Sequence, residues 1–311
     1  MTTHEAIDFL REDFDLTAHP KMVYRAVKEG FKSGCRPLIY LDGAFLKTYH
    51  GGQLLSAIAQ DANNRFYVVA YAVARSENKE SWKWFLTCLQ EDIGDVGNYG
   101  WNFMSDQQKG LLPALKEVMP GAHVRNCVMH MWKNFINRFK DLYIREIVWD
   151  CARCITISEF KITMERLKVV NKDTWAYFMK FEPATRVRAY FSHGPKVDNL
   201  RNNMCESFNA KVVKYRSKPI LTMCEELRCY MMRRMVQHKK LLGTHEGKQA
   251  PVQEKRLQRL IKPSNKWAAE WIGDNEHKRF EVTQKGSKVD VDLIKHSCSC
   301  NKWQLTGQSG S

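Results

Sequence analysis

The chain has 311 residues, 44% of them hydrophobic, which is enough for one large domain or two modest ones and excludes a disordered chain. No run of about 18 apolar residues occurs, and the amino terminus lacks the pattern of a signal peptide, so we expect a soluble, non-secreted protein. The net charge of +15 favours a polyanionic partner such as nucleic acid or an anionic membrane surface.

Three extended segments follow Pro37. Their patterns predict strands over 38–46, 53–60 and 66–74, and the polar run 61–64 is typical of a turn. The short connections indicate an antiparallel meander. A helix is predicted next, because apolar residues recur at i, i+3, i+4 and i+7. These residues are Trp82, Phe85, Leu86 and Leu89.

The following segments alternate between strand and helix. A short strand ends at Asp106, a helix covers 110–118, and a strand-like run covers 124–128. This order predicts an α/β fold with a mixed sheet. From 131 to 190 the pattern is helical, which we interpret as an all-helical insert.

The remaining chain is predicted to form basic helices and a β-rich tail. Helices are predicted over 221–242 and 251–274, and the alternation over 280–300 predicts strands. Residues 207–262 carry 14 basic and 4 acidic side chains, whereas residues 1–110 carry 12 and 14. The basic surface is therefore expected here, as a DNA-binding face, a nuclear import signal or a solvated helix face. Its candidate residues are Arg233, Arg234, Lys239 and Lys240.

Cysteine usage indicates a reducing compartment. The chain has ten cysteines, but it is not a small cysteine-dense scaffold. Cys88, Cys224 and Cys229 also lie in helix-like apolar patterns. We therefore expect reduced thiols in the cytosol or nucleus.

Three carboxylates stand at the edges of predicted elements. Asp42 ends the first strand, Asp106 ends the fourth, and Glu206 begins a helix in NNMCESFNAKVV. A carboxylate after an apolar run has to be solvated, paired or bound to metal, because burying it alone is costly.

Each carboxylate also has an ordinary structural interpretation. Asp42-Gly43 is compatible with a turn, Ser105 to Gln108 has the form of a helix capping box, and Asn203 to Glu206 fits an Asn-initiated version of that box. At 100° per residue, Glu206 projects from the face opposite Phe208. That second face carries small side chains and is suited to line a cleft.

Five segments in one order resemble the transposase domain of plant Mutator-like elements, a branch of the ribonuclease-H-like DDE recombinases. The segments are LDGAFLKTYHGGQLLSAIAQDANNRFYVVAYAVARSENKESWKWFL, FMSDQQKGLLPAL, CVMHMWKNF, NNMCESFNAKVV and SKPILTMCEELR. The resemblance runs from about Lys32 to Gln304. It implies a ribonuclease-H-like mixed sheet interrupted by a helical insertion before the third acid.

The resemblance also implies a chemistry and a set of partners. Asp42, Asp106 and Glu206 correspond to the three catalytic acids, which hold two Mg²⁺ or Mn²⁺ ions for in-line phosphoryl displacement on transposon ends. The resemblance implies double-stranded DNA as the partner and no contact with a membrane. It also implies a nuclear location and allows a homo-oligomer. Cys127 and His130 match a Cys-x-x-His element that shapes the site or contacts DNA, or are simply a packed cysteine and a surface histidine.

The tail resembles the first half of a SWIM zinc finger. Cys298 and Cys300 supply two thiolates, but the later Cys-x-His is missing and His296 is a doubtful third ligand, so we do not expect a stable zinc site. Family members also carry upstream DNA-binding modules, so we expect a core cut at both ends. The expected divisions are an amino-terminal remnant (1–36), a core (37–216) with its helical insertion at about 131–200, a basic helical region (217–278) and the tail (279–311).

Two other functions remain open in the sequence. A catalytically inactive remnant or a domesticated DNA-binding regulator would keep the fold without the chemistry. A ribonuclease H acting on RNA–DNA hybrids is disfavoured by the large helical insert and the distant third acid.

Overall fold

A computed structural model describes residues 28–49, 51–136, 139–247 and 249–307. The chain divides into two compact units, one of residues 1–99, 109–120 and 203–246, the other of residues 100–108, 121–202 and 247–311. The predicted amino-terminal remnant lies outside the described residues as far as position 27.

The described chain forms three strands, then a segment that alternates between helix and strand, then a long run of helices, and finally four short strands and a helix. In order they are β1 (Leu38–Phe45), β2 (Gln53–Gln60), β3 (Phe66–Ala74), α1 (Lys79–Ile93), α2 (Val96–Tyr99), β4 (Asn102–Ser105), α3 (Leu111–Val118), β5 (His123–Asn126), α4 (Val128–Ile136), α5 (Leu142–Arg153), α6 (Ile157–Val170), α7 (Lys172–Met179), the 3₁₀ turns Pro183–Thr185 and Arg188–Tyr190, α8 (Asn203–Val212), α9 (Ile220–Gly243), α10 (Pro251–Ser264), β6 (Ala268–Trp271), β7 (Arg279–Gln284), β8 (Ser287–Asp292), β9 (Ser297–Cys298) and α11 (Lys302–Thr306).

The first unit is built on the antiparallel strands β1, β2 and β3. All eight residues of β2 are buried, because it lies between the other two strands and helix α8 packs against it. Helix α8 contacts all three strands, and α1 packs against α3. The apolar stripe predicted for α1 is buried, and Asn78 caps that helix by accepting a hydrogen bond from the Ser81 N–H. The predicted meander is confirmed.

Asp42 lies within β1 and does not end it. The strand continues to Phe45, with Asp42 opposite Ser56 and Gly43 opposite Leu55. The turn interpretation of Asp42-Gly43 is therefore wrong, because pairing with β2 keeps this dipeptide extended.

The second unit combines a parallel strand pair with a helical core. Strands β4 and β5 pair in parallel from Asn102 opposite His123 to Ser105 opposite Asn126. Parallel and antiparallel pairing therefore both occur in this α/β protein, as expected of a mixed sheet. Helices α4 to α7 bury a continuous apolar cluster that includes Trp132, Phe135 and Trp149. The predicted helical character is thus confirmed for most of 131–179, whereas 183–190 forms only two 3₁₀ turns.

The predicted strand 124–128 is shorter and shifted. Strand β5 ends at Asn126 and α4 begins at Val128. The backbone N–H of Cys127 donates to the Ser105 carbonyl at the end of the ladder, and that of Val128 donates to the Leu200 carbonyl. Cys127 is therefore the residue that joins β5 to α4.

The predicted helix 251–274 is correct only in its first part. Helix α10 ends at Ser264, next to Pro263, and residues 268–271 form β6. This strand pairs with β7, with Trp271 opposite Phe280. A second antiparallel sheet in the order β6-β7-β8-β9 follows, which confirms the predicted strands in the tail.

Helix α9 is the long basic helix expected from the charge distribution. It has 24 residues, of which only Met223 and Leu227 are buried. Of the helices in the described ranges, none combines the length and the apolar character needed to cross a membrane.

Candidate active site

Asp42 is a paired carboxylate on β1. Its Oδ2 accepts a hydrogen bond from Nδ2 of Asn209 over 2.6 Å, and its backbone carbonyl accepts one from the Ser56 hydroxyl over 3.2 Å. The residue is half-buried, so an ionised carboxylate there requires such donors. The bond from Asn209 fixes the carboxylate beside helix α8.

Asn209 is a site residue that the sequence analysis missed. The signal lies in NNMCESFNAKVV, where Asn209 follows Glu206 by three residues, because positions i and i+3 are neighbours on a helix. Its amide oxygen Oδ1 is buried and has no hydrogen-bond partner among the residues that the structure describes. An acceptor in this state is costly unless a cation or a water satisfies it.

Glu206 lies in the first turn of α8 and is exposed. Cys205, Phe208 and Val212 bury the opposite face of the helix, so the predicted division into two faces is confirmed. The helix begins at Asn203 itself, whereas a capping-box residue precedes the first helical position. The Asn-initiated capping box is therefore not the arrangement observed.

Asp106 follows β4 directly, as predicted. Its Oδ1 accepts a hydrogen bond from the Gln108 N–H over 3.3 Å. Helix α3 starts only at Leu111, so the capping box predicted for Ser105 to Gln108 is wrong. Asp106 is half-buried at the carboxyl end of the parallel pair, which is the sheet edge where α/β proteins bind ligands.

Cys127 and His130 form a hydrogen-bonded pair in the same unit as Asp106. Cys127 is fully buried, and its sulfur accepts the Asn202 N–H over 3.3 Å. Burial raises the pKa of Cys127, but the bonds to His130 and to the Asn202 N–H outweigh it and lower the pKa. The bond to Cys127 raises the pKa of His130, burial opposes this rise, and the charge of Asp106 adds to it. The His130 side chain is half-buried.

Arg125 fixes the loop that leads into α8. It is 1% exposed, and its guanidinium donates to the carbonyls of Val197 over 2.5 Å and Ser192 over 2.9 Å. It also lies 4.2 Å above the ring of Phe191. The sequence did not indicate that Arg125 binds this loop, because it lies in the strand-like run 124–128 and a buried arginine in a strand has no local sequence signal.

The structure thus distributes the predicted acids over two units. Asp42 and Glu206 belong to the first unit, together with Asn209, which is hydrogen-bonded to Asp42. Asp106 belongs to the second unit, together with Cys127 and His130.

Residues 38–134 match the family model of the MULE transposase domain. The MULE match begins at β1 and ends in α4, and it contains Asp42, Asp106, Cys127 and His130. Among solved structures, the chain is similar to the Mos1 transposase catalytic domain, determined with raltegravir and manganese. That similarity has 12% identity and a TM-score of 0.22, over 52% of this chain and 94% of the other. A comparison with curated proteins gave no match.

The basic cluster on α9 lies beyond the MULE match and is not uniform. Arg233, Lys239 and Lys240 are exposed. Arg234 is half-buried, donates to the Phe66 carbonyl over 3.1 Å and lies 3.8 Å above the Phe66 ring. Arg234 therefore holds α9 to β3, and the other three are available to a partner.

The thiols of the tail lie close together. The sulfurs of Cys298 and Cys300 are 3.0 Å apart, and this contact lowers the pKa of Cys298 to about 6 and raises that of Cys300. The ring of His296 stacks on Trp303 at 5.3 Å. Within the described ranges, no third cysteine, histidine or carboxylate completes a compact ligand group with these two thiols.

Proposed function

We propose that the chain is the catalytic core of a Mutator-like DNA transposase, of the plant type and with the ribonuclease-H-like fold of the DDE superfamily. The observation that carries the proposal is the MULE match over 38–134, because that span contains both Asp42 and Asp106. The helical segment after α4 then corresponds to the insertion that separates the second acid from Glu206.

The residues around Asp42 fit a hard divalent cation. Mg²⁺ and Mn²⁺ prefer oxygen ligands such as carboxylates and amide oxygens. Asp42 supplies a half-buried carboxylate, and Asn209 supplies a buried amide oxygen for which the described part of the chain offers no hydrogen-bond donor. A cation near these two groups would satisfy an acceptor that the protein alone leaves unsatisfied.

In this proposal Asp42, Asp106 and Glu206 would hold two metal ions. When bound, the ions would activate the attacking oxygen and stabilise the leaving oxygen of the scissile phosphodiester. Asn209 orients Asp42 through its 2.6 Å bond. When protonated, His130 would limit the repulsion between Asp106 and a phosphate; the bond to Cys127 and the charge of Asp106 raise the pKa of His130 and so favour that form. The same residues serve nicking and strand transfer, because only the attacking oxygen differs.

We further propose duplex DNA as the partner and the nucleus as the location. The exposed lysines and arginine of α9 and the excess of basic residues over 207–262 support a polyanionic partner. A fluorescent fusion of the chain should accumulate in nuclei, and changing Arg233, Lys239 and Lys240 to glutamine should reduce that accumulation if the cluster is the import signal. Self-association on DNA ends is expected but rests on the resemblance alone.

Nicking of a supercoiled plasmid with Mn²⁺ tests the catalytic proposal. Asp42→Asn, Asp106→Asn and Glu206→Gln should each reduce nicking by more than about 100-fold, because losing even a hydrogen-bond partner of a metal ligand costs roughly 10–100-fold. The matched controls are Asp173→Asn on α7 and Glu165→Gln on α6, two exposed acids that should leave nicking unchanged.

The outcomes separate the competing functions. Duplex binding without nicking by the wild type would favour the inactive remnant or the DNA-binding regulator. Cleavage of the RNA strand of an RNA–DNA hybrid, with duplex DNA left intact, would favour ribonuclease H. Full activity of Glu206→Gln would remove Glu206 from the metal site.

A further inference from the structure

A cleft of about 420 Å³ runs along helix α5 in the second unit. Three guanidinium groups and one indole line it, and all belong to that unit. Arg145, Trp149 and Arg153 follow one another at intervals of four residues, so they share one face of α5. Arg201 reaches the cleft from the loop that precedes α8.

The arginines lie over tryptophan rings. The guanidinium of Arg201 lies 4.9 Å and that of Arg153 lies 5.5 Å from the centre of the Trp149 ring, while Arg145 lies 5.7 Å from that of Trp132. Trp149 is only 6% exposed, yet the three arginines are exposed. A guanidinium that stacks by its face keeps its edge N–H groups available, and this edge matches a phosphate in two-point geometry.

The carboxylates in the cleft leave two of the guanidinium groups without an ion pair. Asp150 lies 3.4 Å from Arg153 and 4.0 Å from Arg166, so its charge is already compensated. Glu146 is exposed on the cleft wall. Over the described ranges, neither Arg145 nor Arg201 has a carboxylate oxygen within 4.0 Å. These two guanidinium groups are therefore the ones in the cleft best able to donate hydrogen bonds to an anion.

The loop that carries Arg201 is held before any ligand arrives. Arg188 pairs with the Asp198 carboxylate at 3.2 Å and donates to its carbonyl at 2.8 Å. The Asn202 N–H donates to the Cys127 sulfur at 3.3 Å. Arg201 lies between these anchors, so little backbone freedom remains to be lost on binding.

We infer that this cleft binds a backbone phosphate of duplex DNA through Arg145 and Arg201, with Trp132 and Trp149 as their respective platforms. The inference rests on the proposed function for the identity of the polyanion. It adds a DNA contact outside the carboxylate site and outside the basic cluster of α9. Exposed guanidinium edges on an open helix face suit a phosphate that belongs to a long duplex better than an enclosed small molecule.

The test is the salt dependence of binding to a short fluorescein-labelled duplex, followed by anisotropy. The double variant Arg145→Gln/Arg201→Gln should bind about 10-fold more weakly, and the slope of log K against log salt should fall by roughly 0.9 for each lost phosphate contact. The matched control Lys161→Gln/Lys172→Gln removes two exposed charges from neighbouring helices and should change both quantities by less than half as much.

Two further variants test whether DNA binds at a defined phosphate site or is attracted only by the overall positive charge. Arg145→Lys/Arg201→Lys keeps the charge but loses the planar fork, so it should recover only part of the affinity. Glu146→Gln removes a repulsive carboxylate from the cleft wall and should strengthen duplex binding. Both variants should unfold within a few degrees of the wild type, because all three side chains are exposed.

An unchanged slope in the glutamine variant, or full recovery in the lysine variant, would overturn the inference. So would inorganic phosphate that displaces the duplex at an equal phosphate concentration, since that would indicate a small-anion site. If the wild type nicks plasmid while the arginine variants bind normally, only this inference fails. If the wild type binds no duplex, the proposed function fails with it.

Discussion

Asn209 donates a hydrogen bond of 2.6 Å to Asp42, across 167 positions of the chain. This bond connects helix α8, which carries Glu206, to the strand that carries the first candidate acid. The amide oxygen Oδ1 of Asn209 is buried and has no partner within the described ranges. The Asn209 oxygen beside Asp42 can therefore accept one more cation or hydrogen-bond donor, and the first prediction follows from this.

Asn209→Asp should make folding depend on metal. The change places a second carboxylate against Asp42, and two carboxylates at hydrogen-bond distance cannot both ionise without a cation. We expect a lower melting temperature than wild type with a chelator present, and a larger rise on adding Mn²⁺. Asn203→Asp adds the same charge to an exposed position of the same helix and serves as the control. Equal melting curves of Asn209→Asp with and without Mn²⁺ would argue against a cation at Asp42.

The basic cluster on α9 should separate into a stabilising residue and three binding residues. Arg234→Gln loses a guanidinium stacked 3.8 Å above Phe66 and a bond to the Phe66 carbonyl, so the free energy of unfolding should fall by about 1–3 kcal/mol. Changing Arg233, Lys239 and Lys240 to glutamine should leave the melting temperature unchanged and weaken duplex binding. Calorimetry and anisotropy on the same samples test both. A triple variant that binds DNA normally would place the contact elsewhere.

The tail should contain well under one zinc ion per chain. Two thiols 3.0 Å apart are too few ligands for a stable structural site, which normally takes four. Elemental analysis of the purified protein and melting with and without a chelator provide the measurement. Stoichiometric zinc that disappears in Cys298→Ser would show that other ligands complete the site.

The sequence predicted the elements whose signal is local. The bounds of β2 and β3 are those predicted, because apolar runs bordered by polar turns specify strands. The buried face of α8 also follows from helical periodicity. These features require only neighbours in the chain.

The errors and omissions all involve distant partners. Asp42-Gly43 has the local chemistry of a turn, but pairing with Ser56 and Leu55 of β2 keeps it extended. Strand β6 carries no alternating pattern and forms because β7 pairs with it. The contact of Asn209 with Asp42 and that of Arg201 with Trp149 likewise join segments far apart in sequence, so no local pattern indicated them.

The Cys127–His130 pair gives the protein a predictable pH dependence. The hydrogen bond to Cys127 raises the pKa of His130, burial opposes this rise, and the charge of Asp106 adds to it. The folded state therefore binds the imidazole proton more tightly than the unfolded state. Stability from protonated His130 is fully present below the unfolded pKa of about 6.5, and it is lost as the pH rises through the folded value.

The test compares the melting temperatures of wild type and His130→Gln in metal-free buffer, at pH values from below to well above the unfolded pKa of about 6.5. The advantage of wild type over His130→Gln should be greatest near the acidic end and should shrink as the pH rises. Cys127→Ala should reduce this pH dependence more than Asp106→Asn does, because the bond to Cys127 is the larger cause. His123→Gln, in an exposed position of β5, controls for the loss of a surface histidine. A constant difference between wild type and His130→Gln at every pH would mean that His130 only packs, and it would remove the positive charge that the proposed site assigns to the neighbourhood of Asp106.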